Sequence, residues 1–334
     1  MPYKAGGGYD IKARIIAPLL AKYLPGKRNM VVLNVPGAGG TVGITQLARS
    51  KPDGYTLALS NPVLLATLQK LGNLGSVDPR TLTYLGQLEA VPSLVLIGTT
   101  GRLKSIGDMK GQEVRMGVLG DNNLVSAVFA NSLGATPKLI AYDGLPEAAM
   151  AVARGDIDAV IGNVNTLYKQ LANFQGKLAP VLLIGGSSPK LPDIKTAGQA
   201  GIKMEEETGV YRVVVVAPSS LPQDVQKALT DALDKATRDP EFAAEMEKAG
   251  YSPAPLGGSQ LQAVVDEGFK VVEKSSQPAK TWLSTLSHVS ATFRFDYRRK
   301  EQSIEWELCL DGIYVILAAI AIAQQRAAPE LSSQ

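Results

Sequence analysis

The sequence predicts an α/β protein built as two lobes with a cleft between them. Strand-like apolar runs alternate with helix-like segments, and this alternation occurs twice, with a break near residues 99–105. Alternation with helices of about 10–15 residues indicates parallel α/β sheets. Glycine- and asparagine-rich loops fall at the carboxyl ends of the strand-like runs, where open α/β sheets place their ligands.

The first unit begins with PYKAGGGYD (residues 2–10), a glycine loop that leads into a helix over residues 10–24. Asp10 is its expected N-cap, Ile11, Ile15, Ile16, Leu19 and Leu20 form its apolar face, and Pro18 should kink it. Residues 30–33 read as a short strand feeding the turn NVPGAGG (residues 34–40), and residues 41–49 as a second helix. SKPDGYTLALSN (residues 50–61) carries a turn and then a buried-type strand over 55–60. A helix over 62–71 and a strand over 94–98 complete this half.

The second unit repeats the pattern. Residues 114–119 read as a strand, 120–123 (GDNN) as a loop and 124–133 as a helix. A strand over 139–142 leads through DGLP to a helix over 147–154, and strands follow over 158–162 and 181–184. The run YRVVVVA (residues 211–217) is the strongest β signal, and its expected place is back in the first lobe. Helices over 222–238, 240–249 and 259–274 follow. The expected lobes are residues 1–98 with 211–287, and residues 99–210. Residues 288–334, with the apolar run 313–323, lack this punctuation and read as an atypical tail outside the domain. That run is about half the length needed to span a bilayer.

Composition narrows the chemistry. In 334 residues there is one His (His288) and one Cys (Cys309), so residues 1–287 hold neither. A cysteine nucleophile, a histidine base, a His/Cys metal site and a disulfide are excluded within that span. No cofactor and no metal are expected. A net charge of +3 and 6% aromatics argue against a nucleic-acid surface. Gly6–Gly8 does not fit a dinucleotide fingerprint: the spacing differs from G-x-G-x-x-G, and the second strand ends in Asn34 rather than an acidic residue. A glycine loop at a helix N-terminus suits an anion.

The opening PY-x-x-GGG-x-D, then N-x-PGAGG, then PDGYTL resembles the tripartite tricarboxylate transporter receptors, also called Bug extracytoplasmic solute receptors. The resemblance continues through YDGLPEAAMAVARGDIDAVIGN (residues 142–163) and VVVVAPSSLP (residues 213–222), covering about residues 2–286. It implies a periplasmic-binding-protein fold of the flytrap type, type II-like. Such a receptor is a periplasmic monomer that closes over a small organic acid and delivers it to the permease subunits of a membrane transporter.

By position, the resemblance implies ligand contacts from Ala5, Gly7, Gly8, Tyr9, Ser60 and Asn61 in the first lobe. Leu119, Gly120, Asn122, Asn123, Ser126, Tyr142, Gly144 and Asn163 would serve from the second. Arg212 stands where many members carry an aromatic residue, and a guanidinium could clamp a carboxylate bidentately. The family's second-lobe loop reads Gly-x-Gly-Ser/Thr; here Asp121 would oppose an anion if it pointed inward. The family also has a signal peptide and a strand before the first Pro-Tyr. Without that strand, residues 31–33 and 55–60 are expected to expose open edges and to weaken the fold. A ligand sensor reporting to a signalling partner, or an enzyme on the same fold, are the rival readings; the missing catalytic side chains disfavour the enzyme.

Overall fold

One long strand organises the molecule. β2 (Thr83–Gly98) runs through two sheets, its first half in one and its second half in the other. The computed structural model describes residues 1–276 other than Lys27, Gly120, Asp121, Asn122 and Asp143. The expected tail, with His288 and Cys309, lies outside the described residues.

In the first sheet β1 (Ala58–Ser60) pairs with β7 (Val210–Ala217), β7 with β2, and β2 with β8 (Pro253–Leu256). All three ladders are antiparallel, which corrects the expectation of parallel sheets in both halves. The reason is topological. β1 and β2 do run parallel, but β7 returns between them and runs against both. In the second sheet β2 pairs antiparallel with β5 (Ala159–Asn163) and β6 (Leu178–Ile184). There β3 (Glu113–Val118) pairs in parallel with both β4 (Thr136–Ala141) and β5, as βαβ crossovers require.

Both sheets are covered on both faces, which explains unbroken apolar runs such as VVVV. Val213 and Val215 face a core shared with α1 (Gly8–Tyr23) and α7 (Gln223–Arg238). Val214 and Val216 face the opposite core, with α2 (Thr41–Arg49), α3 (Pro62–Lys70) and α9 (Gly258–Ser276). Leu94 and Leu96 continue the first of these cores into the second sheet, beside α5 (Leu145–Arg154) and α6 (Val164–Asn173). Val95 and Ile97 face a third core, where Val125 and Phe129 of α4 (Asn123–Ser132) pack. The short helix α8 (Pro240–Lys248) places Phe242 and Met246 in the first core.

Several local expectations are corrected. Residues 30–33 form no strand; Val31 and Leu33 are exposed, as is Tyr55. Instead the Met1 ammonium donates to the Leu33 carbonyl at 2.6 Å and Val35 N–H to the Met1 carbonyl at 2.7 Å. Asp10 is not the N-cap of α1, because the helix begins two residues earlier and Gly7 occupies that position. Asp10 sits in the first turn and accepts from the N–H of Gly6, the residue before the N-cap, at 2.9 Å, closing the loop from inside the helix. β8 and α6 went unread, and of β2 only residues 94–98 were expected as strand.

Candidate ligand site

The register of β2 decides where the strand ends meet. Ser60, the last residue of β1, lies level with Val214, and Val214 with Gln87 of β2. β1 runs with β2, so its carboxyl end points toward the second sheet. Asn163, the last residue of β5, lies level with Ser93, and β5 runs against β2. Its carboxyl end therefore points back toward the first sheet, as do those of its parallel neighbours β3 and β4. The carboxyl ends of β1 and of β3, β4 and β5 thus face one another across the middle of β2, around Glu89 and Ser93.

Helix N-termini follow several of these ends. Asn61 caps α3 by accepting from Val63 N–H at 2.9 Å, and α4 begins at Asn123, just past β3. Gly144 is the extended N-cap of α5 and Asn163 the N-cap of α6. Each N-terminus offers unpaired N–H groups and positive dipole ends to an anion.

Among the described residues, four buried polar atoms have no hydrogen-bond partner: Ser60 Oγ, Asn123 Oδ1 and Ser126 Oγ by these ends, and Thr41 Oγ1. Ser60 and Ser126 are completely buried. Buried polar groups are almost always satisfied, so such atoms ask for a ligand or water. Ser60, Asn123 and Ser126 were expected contacts. Thr41 was not; it opens α2 directly after the PGAGG turn. That turn keeps its glycines for conformation: Gly37, Ala38, Gly39 and Gly40 all take positive φ. A fifth such atom, Ser275 Oγ, lies at the far end of α9.

The glycine loop lies at the same level. Ala5 and Gly7 are exposed, while Tyr9 is buried, stacked on Tyr3 at 4.7 Å and tilted against Tyr211 at 5.6 Å. A Cβ at Gly8 would lie 3.3 Å from Tyr251 Oη and 3.4 Å from Thr166 Oγ1, so α1 meets the start of α6 there. Burial pushes the Asp10 carboxyl up, but hydrogen bonds from Arg14, Gly6 N–H and Asn34 together hold it below the usual range. Tyr142, just past β4, is half-buried beside Gly117; burial pushes its phenol up. Leu119 is half-buried at the end of β3. Gly120 and Asn122 lie outside the described residues.

Two expected contacts are engaged elsewhere in the fold. The Asn163 side chain is buried, accepts from Thr166 N–H at 3.1 Å and donates to Glu89 at 3.1 Å. The Arg212 guanidinium donates to Glu207 at 2.7 and 2.9 Å and to Gln87 at 3.3 Å. A strand alternates its faces, so Arg212 lies on the side of Val214, and Tyr211 on the side of α1.

Beneath the loop lies a cluster that the sequence reading missed. Lys12 Nζ pairs with Glu89 at 2.7 Å, with both side chains buried. Glu89 also accepts from Asn165 at 3.0 Å. Lys12 lies over the Tyr251 ring at 4.0 Å, and Lys169 lies 4.3 Å from the same ring. Lys190 donates to Asn165 Oδ1 at 2.6 Å and to the Gly250 carbonyl at 2.8 Å.

The family model described as the tripartite tricarboxylate transporter family receptor matches residues 12–275. The chain belongs to this family. A UPF0065 protein from the TAR-I ttuE-ttuC' intergenic region of Agrobacterium vitis is 27% identical over 282 residues, covering 81% of this chain and 79% of its own. R. palustris Rpa4515, solved with adipate, superposes with a TM-score of 0.72 at 22% identity, over 84% of this chain and 95% of its own. MatC from Rhodopseudomonas palustris, solved with bound malate, gives 0.66 at 21%, over 83% and 97%. The periplasmic binding protein BugD gives 0.67 at 23%, over 82% and 95%. The fold is thus the two-lobed α/β fold of solute-binding proteins, and the family is one of receptors rather than enzymes. Among the described residues no helix is long and apolar enough to cross a membrane, and no group of three or more His, Cys, Asp or Glu could hold a metal ion.

Proposed function

We propose that this chain is a periplasmic receptor that closes two lobes over a small carboxylate and presents it to the permease subunits of a tripartite tricarboxylate-type transporter. The observation that carries the reading is a set of buried atoms with no partner among the described residues: Ser60 Oγ at the end of β1, Asn123 Oδ1 and Ser126 Oγ in the helix after β3, and Thr41 Oγ1 at the start of α2. Helix N-termini beside them supply the positive potential an anion needs. Adipate and malate in two neighbours of the same fold suit such a site. The lobes are residues 1–98 with the returning segment from residue 211, and residues 99–210, with β2 as one of their links. Ala5, Gly7, Gly8 and Tyr9 line the first side with Ser60, Asn61 and Thr41; Leu119, Tyr142 and Gly144 line the second with Asn123 and Ser126.

A thermal-shift and calorimetry screen of succinate, malate, adipate and related acids tests this. A ligand at 100 times its Kd adds about 2.7 kcal/mol of stability, enough to raise the midpoint visibly. A panel of small carboxylates and amino acids that leaves the midpoint unmoved would sink the proposal.

A further inference from the structure

Lys12, Lys169 and Lys190 gather around a single carboxylate, Glu89. Lys12 takes Glu89 directly. Lys169 donates to the Ala249 carbonyl, and Lys190 to Asn165 Oδ1 and the Gly250 carbonyl; these acceptors are all neutral. Three ammoniums against one carboxylate leave an excess of two positive charges. The cluster sits directly behind the glycine loop, since Lys12 Nζ lies 3.5 Å from where a Gly8 Cβ would be. It also sits behind the start of α6, because Glu89 holds both Asn163 and Asn165.

Resting on the receptor reading above, we propose that this half-buried cationic cluster, and Lys190 and Lys169 in particular, gives the site its preference for anions without touching the ligand. The proposed contacts at the strand ends are neutral side chains and backbone N–H groups, whose helix N-termini carry only partial charges, so full charges behind them add to the preference for an anion. In a medium shielded from water, a charge several ångströms away still biases binding, whereas a solvated one is screened.

The groups that face the two lysines are Lys12 on α1, Glu89 on β2, Asn165 on α6, and Tyr251 and Ser252 after α8, with Tyr168 on α6 beside Lys190 and Tyr211 on β7 beside Lys12. Burial lowers both Lys169 and Lys190 from the ordinary lysine value; for Lys169 the neighbouring Lys190 and Lys12 lower it further, and Glu89 opposes the shift at both. They lose their protons earlier than a solvated lysine as pH rises, and anion affinity should fall with them.

The test uses succinate, malate and adipate as probes, with calorimetry on the intact chain and on Lys190→Gln, Lys190→Arg and Lys169→Gln. Glutamine keeps a donor and loses the charge; arginine keeps both. The glutamine variants should bind roughly three- to tenfold more weakly at low salt. The deficit should shrink at about 0.5 M salt, and Lys190→Arg should restore affinity. As pH rises toward the ordinary lysine value of about 10.4, the intact chain should lose affinity before a solvated lysine would deprotonate, and the glutamine variants should lose less. Unchanged affinity in both glutamine variants overturns the proposal and leaves the receptor reading standing. So does an equal loss in Lys190→Gln and Lys190→Arg, which marks a structural role. If none of the three acids binds the intact chain, the proposal falls together with the reading beneath it.

Discussion

Glu89 and Asp158 are both buried carboxylates that answer more than one cation, yet they do different work. Asp158 stands at the amino end of the strand Ala159–Asn163, away from the facing strand ends. Its partners, Arg102 at 2.7 Å and Arg115 at 2.9 Å, are 43% and 34% exposed, so water shares their charge. Arg115 also holds the Gly155 and Asp156 carbonyls, and Arg102 the Glu113 carbonyl, so the cluster ties loops at the foot of the second sheet. Glu89 lies in the middle of the long strand, with Lys12 only 1% exposed, and binds the two asparagines that start the helix after Asn163. One cluster fastens the foot of a lobe. The other sits where the long strand passes from one sheet to the other, behind the glycine loop, and an uncompensated change there reaches both sheets.

The largest effect is therefore expected at Lys12. Removing one partner of a buried pair leaves a charge without compensation and costs about 3–5 kcal/mol. Lys12→Met should lower the unfolding free energy from urea titration by that amount, and Lys12→Met with Glu89→Leu should recover part of the loss. If Lys12→Met costs no more than the roughly 0.5 kcal/mol of a surface substitution, the pair is not what joins these elements.

Asp158 gives the next effect, and it is read by acid. Burial pushes its carboxyl up, but Arg115 and Arg102 outweigh that and hold it at about 2, below the ordinary 3.8. Its stabilisation is complete above about pH 4 and is lost as pH falls from there through about 2, for a total of about 2 kcal/mol. Asp158→Asn should remove that part of the acid dependence. Superimposable stability–pH curves for the variant and the parent below pH 4 would refute the assignment.

Much of the architecture could be read from the chain, because periodicity and turns are local. The VVVV run, the two rounds of strand and helix and the glycine loops all appear in the structure near their expected positions. What was missed is long-range. Glu89 lies in a strand run whose apolar neighbours give no sign of a lysine far earlier in the chain. The return of the strand Val210–Ala217 between Ala58–Ser60 and Thr83–Gly98 makes the first sheet antiparallel, and no local signal carries that. The helix Val164–Asn173 did have a signal, an asparagine ahead of VNTLYKQLAN. The same residue type caps helices and binds ligands, and Asn163 was read only in the second sense.

Asn163 thus separates the two senses. Its side chain caps a helix and touches Glu89, so Asn163→Ala should cost about 1–3 kcal/mol of stability through the lost cap and the weakened network. Once compared at equal folded fraction, ligand affinity should change by less than that. A variant that keeps its melting midpoint but loses affinity tenfold would restore Asn163 to direct contact with the ligand.

Ser60 and Ser126 should show the smallest change in stability. Their hydroxyls have no partner among the described residues, so Ser60→Ala or Ser126→Ala removes a desolvated group and breaks none of the described bonds. Each variant should melt within about 0.5 kcal/mol of the parent, or slightly higher. Affinity for the carboxylate should nevertheless fall by about 1–2 kcal/mol, roughly 5- to 30-fold, because the ligand loses a buried hydrogen bond. This is the reverse of the outcome expected at Asn163, and calorimetry on both kinds of variant distinguishes them. If the serine variants lose stability and keep affinity, the unsatisfied hydroxyls belong to the core, and the site lies elsewhere between the sheets.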